Sequence, residues 1–188
     1  RAHRAGRMRV EGDDEPLLER PRRRAPAQRV ADRIRAEKQA SDLVVASIHW
    51  DANWGYAIPG EHVEFAHALI DVAEVDIVHG HSSHHPKGIE LYRGKPILYG
   101  CGDLLNDYEG ISGQERYRAD LVLMYFVTFD ANTKQLLGFS MTPLQTRRLR
   151  LNRVAPTDAQ WLQRVLDRES RKRGARVELA DDQRFELR

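Results

Sequence analysis

The fold is decided by the stretch from Leu43 to His85. It begins with the sequence Leu-Val-Val-Ala-Ser-Ile-His-Trp-Asp (43–51) and ends with Val-Asp-Ile-Val-His-Gly-His-Ser-Ser-His-His (75–85). The apolar runs 43–48 and 75–78 predict two strands, and continuous apolar character predicts that the first is buried on both faces. Between them, residues 61–74 carry apolar side chains at three- and four-residue spacing, which predicts an amphipathic helix. The stretch therefore predicts a strand–helix–strand unit of an α/β fold.

Histidines are concentrated in this stretch, which holds seven of the eight in the chain. Parallel strands bring their carboxyl ends to one edge of a sheet, where ligands bind in the loops. Neutral imidazoles there predict a divalent metal site, with a polar loop of fortuitous histidines as the alternative. Alone, His49 is more typical of a packed residue than of a ligand. The predicted loop carries His79, His81, His84 and His85, and nearby carboxylates are Asp51 and Asp103.

Aromatic side chains follow the first strand closely. Trp50, Trp54 and Tyr56 lie within seven residues of one another, with Asn53 among them. These four residues are the predicted wall of a substrate cleft beside the histidines. Core packing explains the aromatic residues equally well.

The rest of the chain divides into a lead-in, the main body and a tail. Residues 1–28 lack periodicity and predict an irregular lead-in or a truncated remainder of the domain. The main body, 29–146, is expected to hold a further helix at 29–40, a strand at 95–99 and a hairpin of 121–129 with 135–141. The tail, 147–188, is expected to hold a helix, with one or two short edge strands after it in residues 175–188. Thr157 and Gln160 predict a capping box at the start of that helix, and Gly174 predicts its end.

Composition and charge exclude some classes of function. No apolar run reaches the roughly 18 residues of a membrane helix, and the single cysteine allows no internal disulfide. Residues 1–40 and 147–188 each carry 12 basic against 7 acidic residues, whereas residues 41–146 carry 6 against 14. An acidic, histidine-rich centre suits a divalent cation better than DNA, so nucleic acid is not an expected partner. Because the chain begins with Arg1, we expect a piece of a longer protein. The compartment stays open between cytoplasm and membrane association.

Four motifs resemble the C-terminal half of the capsule-synthesis protein CapA family. They are Ser-Ile-His-Trp (47–50), Ala-Leu-Ile-Asp (68–71), Val-His-Gly-His-Ser-Ser-His (78–84) and Gly-Ile-Glu-Leu-Tyr-Arg-Gly-Lys-Pro-Ile-Leu-Tyr-Gly (88–100). The resemblance implies part of the four-layer calcineurin-like metallophosphoesterase sandwich, in which helices flank two β-sheets. It also implies a site for one or two Mn, Fe or Zn ions, with His49, His81 and His84 as ligands and catalytic residues.

This chain departs from the family pattern in two ways. Two of the N-terminal motifs that supply the other ligands in the superfamily, Asp-x-His and Asn-His, do not occur in residues 1–40. Asp51 stands where relatives commonly have glycine, and Gly102-Asp103-Leu104 stands where they have Gly-Asn-Phe. We therefore expect an incomplete active site in this chain, with the missing N-terminal half of the protein as its partner.

Three functions are open on this basis. The first is metal-dependent hydrolysis of a phosphoester-like bond by the full-length protein, in association with capsule or poly-γ-glutamate synthesis. The second is a non-catalytic capsule-assembly factor that binds an anionic polymer or components of a capsule synthase. The third and weakest is nucleic-acid binding through the arginine-rich ends, which would be marked by a steep salt dependence.

Overall fold

The computed structural model describes residues 24–50, 52–107, 111–180 and 182–188. In these ranges the helices are α1 (Arg24–Glu37), α2 (Gly60–Ala73) and α3 (Pro156–Arg171), with a 3-10 turn at Glu115–Tyr117. The strands are β1 (Val45–His49), β2 (Ile77–His81), β3 (Ile89–Tyr92), β4 (Lys95–Leu98), β5 (Leu121–Phe129), β6 (Leu136–Thr146), β7 (Leu151–Arg153), β8 (Val177–Leu179) and β9 (Phe185–Leu187). None of these helices is long and apolar enough to cross a bilayer.

The first sheet has the strand order β1-β2-β4-β3. β1, β2 and β4 run parallel, and β3 is antiparallel to β4. Helices α1 and α2 cover one face, where the predicted apolar stripe of α2 is buried at Ala66, Leu69, Ile70 and Ala73. The predicted strand–helix–strand unit, β1–α2–β2, is thereby confirmed.

The second sheet is antiparallel, with the order β5-β6-β9-β8 and β7 paired to β6. A separate core packs this sheet against α3 and against β3 and β4 of the first sheet. Its members include Ile89, Leu98, Leu121, Leu123, Phe139, Met141, Leu162, Leu166 and Phe185. Two sheets and three helices confirm the predicted α/β sandwich.

The prediction that the first strand is buried on both faces is wrong. Val45 is 54% exposed, and Ser47 and His49 are also exposed, whereas Ala46 and Ile48 are partly buried. β1 lies at the edge of the first sheet, and the second core contains residues of β3 and β4 but none of β1. Only the helix-covered face of β1 is therefore shielded, and alternate side chains point away from it.

The second strand extends further than predicted. Pairing with β1 continues from Val45↔Ile77 to His49↔His81, so β2 ends at His81 instead of Val78. His79 and His81 are therefore strand residues, separated by one position and directed to the same face.

The start of α3 also differs from the prediction. The helix begins at Pro156 after Ala155, and no side chain caps it, so the predicted Thr157–Gln160 capping box is wrong. Proline in the first helical position supplies a favourable φ there without losing a needed N–H. Gly174 lies in the turn after the helix with φ +79°, which agrees with the predicted end.

Candidate functional site

The ends of β1 and β2 bring His49 and His81 side by side. The two residues are partners in the parallel register, and their ring centroids lie 5.1 Å apart in an edge-to-face arrangement. His49 is exposed and His81 is partly buried. Burial, followed by the neighbouring His49 and His79, lowers the pKa of His81. The surroundings of His81 therefore favour the neutral ring, which is the form that binds metal ions.

His79 lies on the same face but has a different partner. Its Nδ1 is 3.1 Å from Ser47 Oγ, and its ring centroid is 5.9 Å from that of His81. The hydrogen bond joins β1 to β2 through side chains, so His79 contributes to the strand pairing beside the His49–His81 pair.

His84 follows in the loop and is oriented by a carboxylate. Its Nδ1 lies 2.9 Å from Asp103 Oδ2, which also accepts a hydrogen bond of 3.2 Å from Asn106 Nδ2. A carboxylate on one ring nitrogen fixes the tautomer and the orientation of an imidazole, as in many metal and acid–base sites. Coordination or proton transfer by His84 would therefore use Nε2.

His85 has a structural position. It is fully buried, its Nε2 accepts a hydrogen bond of 3.1 Å from the Gly55 amide, and its Nδ1 donates to the Pro86 carbonyl at 3.1 Å. Burial lowers the pKa of His85 to about 4. Because the backbone occupies both ring nitrogens, His85 does not offer a metal a ligand atom in this conformation.

The aromatic residues divide between the site and the core. Trp54 lies against His84, with ring centroids 5.2 Å apart, and Tyr56 lies 4.7 Å from the ring of His85. Trp50 is 6% exposed and stacks on His62 of α2 at 4.5 Å. Trp50 is therefore part of the helix-side core and does not line the predicted cleft.

Asn53 connects the two predicted loops. Its carbonyl accepts a hydrogen bond of 3.1 Å from the His84 amide, and its Oδ1 accepts one of 3.3 Å from Ser82 Oγ. Asp51, the predicted carboxylate in the same loop, lies outside the described residues.

Two residues of this region were not predicted from the sequence. Tyr117, in the 3-10 turn, lies 5.6 Å from the ring of Trp54 and stacks on His85 at 4.6 Å. Asn106 hydrogen-bonds the carboxylate that orients His84. Both belong to a loop region without local periodicity, so no signal in the sequence placed them here.

The donor set fits a divalent ion only in part. Among the described residues no group of three or more His, Cys, Asp or Glu side chains could hold a metal. The in-register pair of imidazoles has the right chemistry for two ligands of Mn, Fe or Zn. Cys101 is buried, and burial raises the pKa of its thiol to about 12, so it is a poor ligand and a poor nucleophile.

Fold and site together define an α/β sandwich protein with imidazoles gathered at the carboxyl edge of a parallel sheet. The model of the bacterial capsule synthesis protein family PGA_cap matches residues 2–108, more than half of the chain. The chain belongs to this family, which confirms the resemblance predicted from the motifs.

Curated relatives agree with the family. Proteins from two strains of Mycobacterium tuberculosis, each named a probable polyglutamine synthesis accessory protein, are 47% identical over 171 residues, or 91% of this chain and 45% of the relative. An uncharacterized protein of Sinorhizobium fredii is 34% identical over 76 residues, covering 39% of this chain and 16% of the relative. The chain thus spans about half the length of the mycobacterial relatives.

Proposed function

We propose that the full-length protein is a metal-dependent hydrolase of phosphoester-like bonds that serves capsule or polyglutamate synthesis. The observation that carries this proposal is the in-register pair His49 and His81, with ring centroids 5.1 Å apart on the open face of the sheet. The name of the mycobacterial relatives, probable polyglutamine synthesis accessory protein, supports the association with polymer synthesis.

In this proposal His49, His81 and His84 hold one or two Mn, Fe or Zn ions. Such ions would supply an activated water and a clamp on the phosphoryl oxygens. Asp103 holds the His84 ring in one orientation through Nδ1, and in this proposal Nε2 faces the ion or carries a proton. The other ligands would come from the part of the relatives' length that this chain does not match.

The test is hydrolysis of a chromogenic phosphodiester by the full-length gene product loaded with Mn²⁺. We expect activity that a chelator abolishes and that His81→Ala removes. His84→Ala should lower kcat about 100-fold or more if the ring transfers a proton. The control is His67→Gln, because His67 hydrogen-bonds Glu90 in another part of the fold. Unchanged, chelator-resistant hydrolysis in His81→Ala would contradict the proposal.

A second candidate is a non-catalytic capsule-assembly factor that binds an anionic polymer or synthase components. It is favoured by the absence of a three-ligand group among the described residues. Metal-independent binding of polyglutamate by the full-length protein, without hydrolysis, would support this candidate over the hydrolase.

A further inference from the structure

The hairpin of β6 and β7 ends in a turn with an unusual sequence. Arg147 and Arg150 exchange two backbone hydrogen bonds, of 3.0 and 3.3 Å, so Arg148 and Leu149 are the two central residues. Their φ values are +55° and +53°. Hairpin turns with positive φ at both central residues strongly prefer Asn-Gly, because larger side chains are strained there. Arginine and leucine therefore occupy this turn against its local backbone preference.

The turn carries a dense positive charge. Arg147, Arg148, Arg150 and Arg153 are all exposed, and none forms an ion pair with a residue that the structure describes. Arg118, by contrast, is paired with Asp120 and Asp158. The sequence contains no acidic residue between Asp130 and Asp158. The four guanidinium groups therefore present their charge to the surroundings of the protein.

An apolar side chain lies at the centre of this charge. Leu149 is 59% exposed at the tip of the hairpin. Asn152 fixes the turn beneath it, because its Nδ2 lies within 2.9–3.3 Å of the carbonyls of Gln145, Arg147 and Arg150. The hydrogen bonds of Asn152 thus hold the hairpin in one conformation, in which Leu149 is exposed among the arginines.

We propose that this basic hairpin, residues 147–153, docks on an anionic lipid surface. Leucine would enter the boundary between headgroups and acyl chains, while the arginines contact lipid phosphates. A soluble polyanion would account for the arginines but not for the exposed leucine at the tip, which favours lipid. At the base of the hairpin, Thr146 lines a small cavity together with His84 and Asp103. Docking would therefore hold the histidine region near the membrane.

The test is co-sedimentation of this 188-residue chain with vesicles of phosphatidylcholine alone, or with about a third phosphatidylglycerol, at constant salt. We expect binding only to the anionic vesicles. Replacing Arg147, Arg148 and Arg150 by glutamine should weaken it roughly 100-fold, at about fivefold per arginine. The matched control replaces Arg29, Arg33 and Arg176 by glutamine, with the same change in net charge, and should weaken binding less than about fivefold.

The Leu149→Gly variant distinguishes a loss of vesicle binding from a loss of folded protein. Glycine removes the apolar side chain but suits the positive φ, so the variant should bind anionic vesicles roughly tenfold less while its melting temperature stays equal or rises. The control is Leu105→Gly, at another leucine with 73% exposure, which should bind like the wild type.

Three results would overturn the proposal: equal binding to neutral and anionic vesicles, an equal loss in the arginine control, or full binding by Leu149→Gly. Binding of soluble poly-γ-glutamate that is stronger than vesicle binding and insensitive to Leu149→Gly would assign the hairpin to the polymer instead. None of these measurements depends on the histidine site, so this inference and the proposed function fail independently.

Discussion

His49 and His81 are direct partners across the parallel pair of β1 and β2, and their rings meet edge to face at 5.1 Å. This pairing depends on register, because a slip by one residue would turn one of the two side chains toward α1 and α2. The contacts that fix the register of β2 therefore also keep the His49 and His81 side chains next to each other.

Gly80 is the residue that allows β2 to pack at this position. A Cβ there would lie 2.4 Å from the Leu98 carbonyl oxygen and 2.4 Å from Trp50 Nε1. Gly80→Ala should therefore lower the free energy of unfolding by about 1–3 kcal/mol, measured by urea denaturation. Gly138→Ala, in β6 with open space around the added methyl, should be neutral or slightly stabilising. Equal stability of the two variants would contradict this role of Gly80.

Asp103 should control the affinity of the site through His84. Asp103→Asn keeps the shape of the side chain but removes the charge that fixes the imidazole. We expect the dissociation constant for Mn²⁺ or Zn²⁺ to rise about 10- to 100-fold, measured by calorimetric titration. Asp107→Asn, at an exposed neighbouring position, is the control. An unchanged affinity in Asp103→Asn would mean that His84 binds no metal.

His85 should make the protein sensitive to mild acid. Burial lowers its pKa from 6.5 to about 4, so the folded state favours the neutral ring. Stability is complete above the unfolded pKa and falls as the pH drops from 6.5 toward 4, by on the order of 2 kcal/mol at about pH 5.

Urea denaturation at about pH 7.5 and about pH 5 measures this loss. His85→Gln should be less stable at the higher pH, since it disturbs the hydrogen bonds to Gly55 and Pro86, but should lose less stability on acidification. This pH interval lies above the acidic range in which Asp120 and Asp130, whose pKa values are lowered, take up protons. An identical acid loss in wild type and variant would exclude His85 as the cause.

An ion pair with a buried carboxylate holds the start of β2. Asp76 is 3% exposed and accepts hydrogen bonds from Lys95 Nζ at 2.5 Å and from the Val44 amide at 2.9 Å. Asp76→Ala leaves both donors without this partner and should cost about 3 kcal/mol of unfolding free energy. Asp71→Ala, which removes an exposed ion pair with Arg93 and an exposed hydrogen bond from the Tyr92 hydroxyl, should cost about 1 kcal/mol or less. Similar losses in both variants would contradict a structural role for Asp76.

The elements with strong periodicity could be predicted from the sequence. The stripe of α2 was recognisable because burial imposes a period of 3.6 on the residues of a helix, whereas β1 and the β5–β6 hairpin were recognisable as short apolar runs. The short β3 and β7 were not predicted, since strands of three or four residues carry too few positions to show alternation.

The site could be predicted only in its main components. The sequence predicted that histidines would lie at the carboxyl edge of the sheet, where the structure has His49 and His81, but the contacts of each histidine depend on residues distant in sequence. His84 is oriented by Asp103, and the ring nitrogens of His85 are occupied by Gly55 and Pro86. For Trp50 the sequence left the cleft wall and the core open, because the orientation of this side chain depends on the strand pleat and on Gly80, which local sequence does not show.

The most direct test of the central claim is the metal content of the purified full-length protein by plasma mass spectrometry after reconstitution with Mn²⁺, Fe²⁺ or Zn²⁺. Wild type is compared with His49→Ala/His81→Ala and with the control His67→Gln. We predict bound metal near one equivalent in the wild type and the control, and its loss in the double variant. Equal metal content in all three proteins, or none in the wild type, would contradict the assignment of His49 and His81 as ligands.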